Sequence, residues 1–519
     1  MVGPTALLRC GERRATALRE RYRRAGLWSG ESVDVVRAAA VGHAGRIALV
    51  ARGCELTYAE LDERIDRACG KLAAAGVKAS TPVVVVVGND VDSVVAVHAA
   101  LRLDAVTLLI PRSAGDAQVA DIITRTGAEF GVAPNWPATA ASGLSDRLVW
   151  IAVDADGARR SEFRSERAAD EPCLVLYTSG TTSKPKGVIH SRSTLLKASA
   201  NYISAAGLTD DDRIFLISPL ASVTGVLQGL FIGPMLAAPV ILEDRWDPSA
   251  TCELLVSSGA TWYGGPDRLL DRILDQAVAR KATLPLRAVY LGGTMLDRRI
   301  VERVEDDFGI IVMRAYGSSE VPVSTSGLRR ESRDVRHADD GVALADVDVR
   351  VGSSGDGTEC CIRGPHAFLG YTDEADDAAA FDGDWFRTGD VAELDDGRIR
   401  VVGRLKDIII RNGLKIPAAE VEEAVAKVTG VVECAAYSVA DSTTGERLAV
   451  AVVLESARQV SLADVTDTLV SAGLPKYKLP EELVFWDEPL PVNANGKIER
   501  NKLDERSAGR PRALADRLV

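Results

Sequence analysis

The sequence predicts an α/β protein, with a large N-terminal domain of helix-flanked sheets (1–403) followed by a small α+β domain (404–519). Three observations support this. Short β-branched runs without polar alternation recur between helical stretches, the signature of parallel strands covered on both faces. Near Gly403 that pattern gives way to a different order of strands and helices. At 519 residues, with 46% hydrophobic and 26% charged side chains, the chain holds about three domains' worth of core.

In chain order, Val83–Val87 is an unbroken valine run after Pro82 and stops at Gly88-Asn89. An amphipathic helix over Val91–Leu103 and a strand over Val106–Ile110 follow. Further strands are predicted at Leu148–Val153, Cys173–Tyr177, Ile214–Ile217, Val240–Leu242, Ala288–Leu291 and Ile310–Met313. The charged stretches 154–170 and 329–340 read as surface loops. Beyond Gly403 the pattern predicts a strand at Asp407–Arg411 and a helix at Pro417–Lys427. Strands at Val432–Val439 and Leu448–Leu454, a helix at Ser461–Ala472 and a last strand at Leu483–Trp486 complete it. These elements span about 110 residues, enough for a core of their own.

Composition excludes several classes. Lys plus Arg total 62 against 74 acids, a net charge of −12, so no surface-wide grip on nucleic acid or an anionic membrane is expected. An anionic ligand must be held by a local site. The eight cysteines are scattered apart from the vicinal Cys360-Cys361, and no CxxC occurs. They read as small buried hydrophobes in a reducing cytoplasm. The arginine-rich start lacks the apolar run of a signal peptide. Ile214–Leu242 contains no charged residue and is long enough to span a bilayer. Ser218, Pro219, Ser222, Gln228, Pro234 and Pro239 interrupt it, so it reads as strand, loop, helix and strand in a protein core.

The segment with most chemistry is Tyr177-Thr178-Ser179-Gly180-Thr181-Thr182-Ser183-Lys184-Pro185-Lys186-Gly187-Val188. It follows a strand and precedes a helix. Five hydroxyl residues (Thr178, Ser179, Thr181, Thr182 and Ser183), glycine-freed backbone N–H groups and two lysines suit a polyphosphate, whose charge needs many donors. A bare Ser/Thr-Gly cluster is equally an ordinary turn. No Walker A sequence can be written through it, and no GxGxxG follows a strand.

Further segments give this loop its context: Tyr316-Gly317-Ser318-Ser319-Glu320, Trp385-Phe386-Arg387-Thr388-Gly389-Asp390, Gly403-Arg404-Leu405-Lys406-Asp407 and Pro491-Val492-Asn493-Ala494-Asn495-Gly496-Lys497. Together and in this order they resemble the motifs of the adenylate-forming superfamily, which includes acyl-CoA synthetases, aryl-acid adenylating enzymes, non-ribosomal peptide adenylation domains and luciferases. The resemblance implies ATP, Mg²⁺ and coenzyme A as co-reactants. It also implies a large AMP-binding domain with a small mobile C-terminal domain turning about a hinge at Lys406. Thr178, Ser179, Gly180, Thr181, Thr182 and Lys186 would cradle phosphates, with Gly293 and Thr294 beside the nucleotide. Tyr316 would stack on adenine next to Gly317 and Ser318, and Ser319 would donate to the α-phosphate. Glu320 would hold Mg²⁺, Asp390 the ribose diol and Arg404 the nucleotide. Lys497 would stabilise the charge developing during adenylation, and the turn at Gly413 would face the thiol. Taken singly, Asp390 could be a turn residue, Glu320 a surface acid and Lys497 a solvated lysine.

The same resemblance places the acyl pocket at Ala221, Ser222, Gly225, Tyr263, Gly264, Gly265 and Ala315. Ser222 stands where relatives often carry histidine. No aspartate is present to pair with a substrate ammonium, which argues against amino acids. Ser183 replaces a common glycine, and Arg314-Ala315 replace Gln-Gly. Small residues at Ala221, Ser222, Gly264 and Gly265 suggest room for a bulky, apolar acid, although glycines also serve backbone geometry alone.

The leading expectation is therefore an acid–thiol ligase that joins a carboxylic acid to CoA through an acyl-adenylate. The alternatives are an adenylating enzyme that loads a carrier protein, an acyl transferase limited to the thioester half-reaction, and a non-catalytic nucleotide-binding protein. No nucleic-acid partner or membrane span is expected.

Overall fold

The structure is a computed structural model. It describes residues 7–134, 148–153, 165, 167–178, 185–292, 296, 298–455, 460–492 and 498–518. Its contacts resolve into two compact units. One runs up to Val349 and includes Ile362–Phe386 and Asp396–Ile399; the other comprises Arg350–Cys361, Arg387–Asp395 and the chain from Arg400 on.

The first unit is built on two sheets. In one, seven described strands lie in the order Gly370–Tyr371, Lys186–Ser191, Pro172–Thr178, Val106–Pro111, Pro82–Val87, Phe130–Val132 and Val149–Trp150. The valine run pairs in parallel with Val106–Pro111 and with Phe130–Val132, and all of its side chains are buried. That explains its lack of polar alternation. The helix Val91–Arg102 begins where Asp90 accepts from the Ser93 N–H, an ordinary N-cap. In the other sheet, Ile47–Ala51, Val240–Leu242, Ile214–Leu216, Trp262–Gly265, Ala288–Gly292 and Ile311–Tyr316 are parallel neighbours.

The uncharged segment folds as the strand Ile214–Leu216, a helical stretch from Val223 to Leu236 and the strand Val240–Leu242. Within that helical stretch, Leu227–Ile232 is a π-helix. No helix among the described residues is long and apolar enough to cross a membrane. All eight cysteines are free thiols.

One expectation is corrected here. The charged stretch 329–340 is not only loop, because Arg333–Ala338 forms a short helix. Its Arg336 is buried, donating to the Val312 carbonyl at 2.9 Å and pairing with Glu305, which His337 also contacts at 2.9 Å. A charged run looks solvated until its partner, here Glu305, is known.

The second unit holds a sheet ordered Leu414–Pro417, Ile408–Arg411, Gly445–Leu454, Glu482–Trp486 and Arg512–Leu514, with Val431–Asp441 antiparallel to Gly445–Leu454. The helices Ala418–Val425 and Leu462–Ser471 pack into its core with Val450, Val452 and Leu483. The architecture is thus mixed α/β, with a large N-terminal part and a small C-terminal one.

Candidate active site

In the first unit the strand Pro172–Thr178 leads to the phosphate-loop segment and Lys186–Ser191 returns antiparallel, Thr178 opposite Lys186. Ser179, Gly180, Thr181, Thr182 and Ser183 lie outside the described residues, as do Gly293, Thr294 and Lys497. Lys186 is paired with Asp376 at 2.9 Å and sits 5.0 Å from the centre of the Tyr371 ring.

The returning strand organises Ser319-Glu320. His190 is fully buried, and its Nε2 lies 2.7 Å from the Ser319 carbonyl oxygen. A carbonyl only accepts, so Nε2 carries the proton, and Nδ1 faces Thr194 Oγ1 at 3.1 Å. Burial lowers the imidazole to about 4, which keeps it neutral. Tyr371, which lies opposite Val188 in the antiparallel strand pair and whose N–H donates to Asp377, donates its hydroxyl to Glu320 Oε1 at 2.6 Å. Burial and the facing carboxylate push the Tyr371 phenol well above its ordinary value. The Phe368 N–H closes the arrangement by donating to the Glu320 carbonyl at 2.7 Å. Glu320 is half-buried, with one carboxylate oxygen oriented by Tyr371 and no hydrogen bond to Oε2 among the described residues. An oriented hard carboxylate with an oxygen to spare fits Mg²⁺. Neither His190 nor Tyr371 was singled out from sequence. Both lie outside the motif segments, and no spacing rule ties either to Ser319-Glu320.

Within the second unit, Asp390 is buried and lies 3.0 Å from the Arg404 guanidinium. Its turn is tied down on both sides. The Asp390 N–H donates to Thr388 Oγ1 at 3.1 Å, and that hydroxyl donates to the Cys360 carbonyl at 2.8 Å. Glu359, only 2% exposed, accepts from the Gly389 N–H at 3.2 Å, from Arg387 Nε at 2.8 Å and from Ser353. A buried carboxylate that can accept from two vicinal hydroxyls suits a ribose diol. Lys406 lies in the short helical turn Leu405–Asp407, and burial lowers its ammonium below the ordinary lysine value. Asn412 and Gly413, at φ 52° and 75°, form the two-residue turn joining Ile408–Arg411 to Leu414–Pro417, a turn type that demands φ > 0 at both positions. Val492 and Ile498 bridge antiparallel on either side of the segment that contains Lys497.

The acyl-pocket expectations divide by sheet face. Trp262, Gly264, Tyr290 and Ala315 share one face, because residues two apart on a strand and in-register parallel partners point the same way. Tyr263 and Gly265 point to the other. Tyr263 is fully buried in the core with Phe215, Val289 and Val312, its hydroxyl donating to the Pro266 carbonyl at 2.8 Å. The expected open volume beside the paired glycines is not found. A Cβ on Gly264 would lie 2.4 Å from the Tyr202 hydroxyl and 2.6 Å from Gln228 Nε2, and one on Gly265 2.9 Å from Ile217. Side chains already fill that space, so these glycines give no ground for a bulky acid. Ser222 caps the following helix, accepting from the Gly225 N–H at 3.1 Å. A Cβ on Gly225 would fall 2.0 Å from the Pro219 carbonyl, so glycine there serves the backbone. The loop before Ser222 is held by buried Asn89, which donates to the Leu216 and Ser218 carbonyls and accepts from the Leu220 N–H at 2.8 Å. From sequence, Asn89 was only a strand terminator.

Comparison with known proteins adds the wider context. The family model described as AMP-binding enzyme matches residues 36–372, and that of the AMP-binding enzyme C-terminal domain matches 420–497. A 3-[(3aS,4S,7aS)-7a-methyl-1,5-dioxo-octahydro-1H-inden-4-yl]propanoyl:CoA ligase of Mycobacterium tuberculosis is 30% identical over 488 residues, covering 88% of this chain and 95% of the relative. A medium-chain fatty-acid–CoA ligase of Escherichia coli is 27% identical over 542 residues, covering 96% and 95%. Among solved structures, an o-succinylbenzoate coenzyme A synthetase of Bacillus subtilis in complex with ATP and magnesium superposes with a TM-score of 0.80 at 25% identity, over 91% of this chain and all of the other. An anthranilate CoA ligase in complex with anthranoyl-AMP gives a TM-score of 0.84 at 19% identity, over 93% and 98%, a likeness of fold.

Proposed function

Because the chain belongs to the AMP-binding enzyme family, we propose that it is an ATP- and Mg²⁺-dependent ligase that joins a carboxylic acid to coenzyme A. The carboxylate oxygen attacks the α-phosphorus of ATP, pyrophosphate leaves, and the CoA thiol then attacks the acyl-adenylate carbonyl and expels AMP. The observation that carries this reading is the bracing of Ser319-Glu320 by His190, Tyr371 and Phe368, which holds a hydroxyl residue and a carboxylate beside the strand leaving the phosphate-loop segment.

In this reading Thr178, Ser179, Gly180, Thr181, Thr182 and Lys186 bind phosphates, and Gly293, Thr294, Tyr316, Gly317 and Ser318 bind the adenosine side. Ser319 donates to the α-phosphate, and Glu320 would hold Mg²⁺, whose charge would offset that of the triphosphate. Asp390 and Arg404 hold the ribose end, and Lys497 stabilises the charge that develops at the α-phosphate. The C-terminal domain from 404 onward turns at Lys406 and presents Gly413 for the thioester step. Ala221, Ser222, Gly225, Gly264 and Ala315 border the acyl site. Eight free thiols fit a cytoplasmic location. The test is mass spectrometry of products from a panel of carboxylic acids incubated with ATP, Mg²⁺ and either CoA or a carrier protein. An acyl-CoA from at least one acid is expected; acyl transfer to the carrier protein alone would overturn the choice of acceptor.

A further inference from the structure

The arginine-rich helix Arg9–Arg24 precedes the residues matched by the AMP-binding family model. It lies on the sheet that carries Lys186–Ser191 and Gly370–Tyr371, so closely that a Cβ on Gly11 would fall 2.9 Å from Ile189. Its C-terminal half is anchored where Arg19 and Arg23 meet the fully buried Asp170 at 3.1 and 2.8 Å. Its N-terminal half inserts Arg14. The Arg14 guanidinium faces Asp377 Oδ2 at 3.6 Å and lies 3.4 Å from the centre of the Phe381 ring, within reach of a cation–π contact. Both partners lead to Tyr371. Asp377 is buried, and its Oδ1 accepts from the Tyr371 N–H at 3.0 Å. Glycine at 370 leaves room for this, since a Cβ there would fall 2.5 Å from that oxygen. Phe381 stacks on Phe368 at 5.3 Å, and Phe368 meets the Tyr371 ring edge-on at 5.0 Å. Phe368 also donates its N–H to the Glu320 carbonyl. One arginine thus begins two short routes that converge on the residue orienting Glu320.

We propose that Arg14 is a positioning residue for Glu320, acting through Asp377 and Phe381 on the Tyr371 hydroxyl, so that the N-terminal helix helps to set the metal-binding carboxylate. This rests on the ligase reading above, in which Glu320 holds Mg²⁺. Withdrawing a guanidinium from water is costly, and attachment of the helix does not require it here, because Arg19 and Arg23 already grip Asp170. The Arg14 side chain is nevertheless 21% exposed, against 61% for Arg9 and 78% for Arg24. What the burial adds is orientation. The tyrosine oxygen lies on the axis of its ring, so holding the Tyr371 N–H through Asp377 and its ring edge through Phe368 fixes where the hydroxyl sits, at Glu320 Oε1.

The test is calorimetric titration of the full chain with ATP, once with Mg²⁺ and once in EDTA, with no acid present. The dissociation constant in EDTA divided by that with Mg²⁺ isolates the contribution of the metal. Arg14→Met is expected to lower this ratio about threefold with the constant in EDTA unchanged, and Arg14→Lys to restore most of it. Asp377→Asn keeps the shape but loses the charge facing Arg14, and should lower the ratio about twofold. In a Tyr371→Phe background Arg14→Met should add nothing further, because the hydroxyl through which it acts is gone and members of one network do not add. A helix that only stabilised the fold would lower the melting temperature and leave the ratio untouched. A wild-type ratio in Arg14→Met, or the same threefold loss repeated in the Tyr371→Phe background, overturns the proposal. If Arg14→Met does not fold, Asp377→Asn read in both backgrounds decides in the same way. A normal wild-type ratio with unaltered variants removes this proposal alone. Wild type that binds ATP no better with Mg²⁺ than in EDTA removes the proposal together with the Mg²⁺ role of Glu320 in the ligase reading.

Discussion

Replacing Glu359 by glutamine perturbs the Asp390 turn without touching Asp390 itself. In the wild type one buried carboxylate serves three donors: Ser353, Arg387 and the Gly389 N–H. The amide keeps the shape but turns half of the acceptor into a donor, so an NH₂ must confront Arg387, Ser353 or the Gly389 N–H. The Arg387 side chain is 30% exposed, so water can replace much of that contact, and the ion pair counts for little. The Gly389 bond is different. It fixes the residue immediately before Asp390, and a charge-assisted bond of this kind is worth ~1.5 kcal/mol at the low end. Lost positioning of that size corresponds to about a tenfold rise in KM for ATP, with kcat nearly unchanged. Because Asp390 is assigned to the ribose hydroxyls, the preference for ATP over deoxyATP should fall by a comparable factor. Steady-state kinetics with both nucleotides reads this, and circular dichroism checks folding. A folded Glu359→Gln enzyme with wild-type KM for ATP and an unchanged ATP-to-deoxyATP ratio would refute the reasoning.

Other outcomes follow from the same geometry. Lys497→Ala should lower acid-dependent pyrophosphate–ATP exchange by about a hundredfold or more with an unchanged circular dichroism spectrum; unaltered exchange would remove Lys497 from the chemistry. Tyr371→Phe deletes the hydroxyl that orients Glu320 and should raise the Mg²⁺ concentration needed for half-maximal rate by about tenfold, as read by a metal titration at saturating ATP. His190 sits near 4 in the folded chain because it is buried, against about 6.5 when unfolded. Between those values the unfolded state binds the extra proton, so this contribution to stability is complete above pH ~6.5 and is lost progressively toward pH ~4, on the order of 3 kcal/mol in all. Thermal melts across that interval should show a shallower slope for His190→Gln than for wild type.

The elements that sequence revealed most directly are those in which local pattern and burial coincide. The valine run at Val83–Val87 could be nothing but a doubly covered strand. The order of the phosphate-loop, Tyr316–Glu320, Trp385–Asp390 and Gly403–Asp407 segments showed the family resemblance. What sequence did not reveal were relations between distant residues. Tyr371 reaches Glu320 across 51 positions, and no spacing rule connects them. Arg336 became a core residue only because Glu305 lies beneath it. The acyl-pocket error was avoidable in principle. Tyr263, Gly264 and Gly265 are consecutive on a strand, so simple alternation forbids all three from facing one cavity. The volume beside Gly264 was not foreseeable, since Tyr202 and Gln228 arrive from other helices.

The strand Lys186–Ser191 touches Ser319-Glu320 twice, directly through His190 and through Tyr371, its antiparallel neighbour. Anyone grafting motifs between relatives therefore inherits a three-piece cassette. Exchanging the Tyr316–Glu320 segment without the matching histidine and tyrosine would strand a carboxylate on an unsupported hinge of backbone, whereas transplanting all three together should carry its aim intact into a new host.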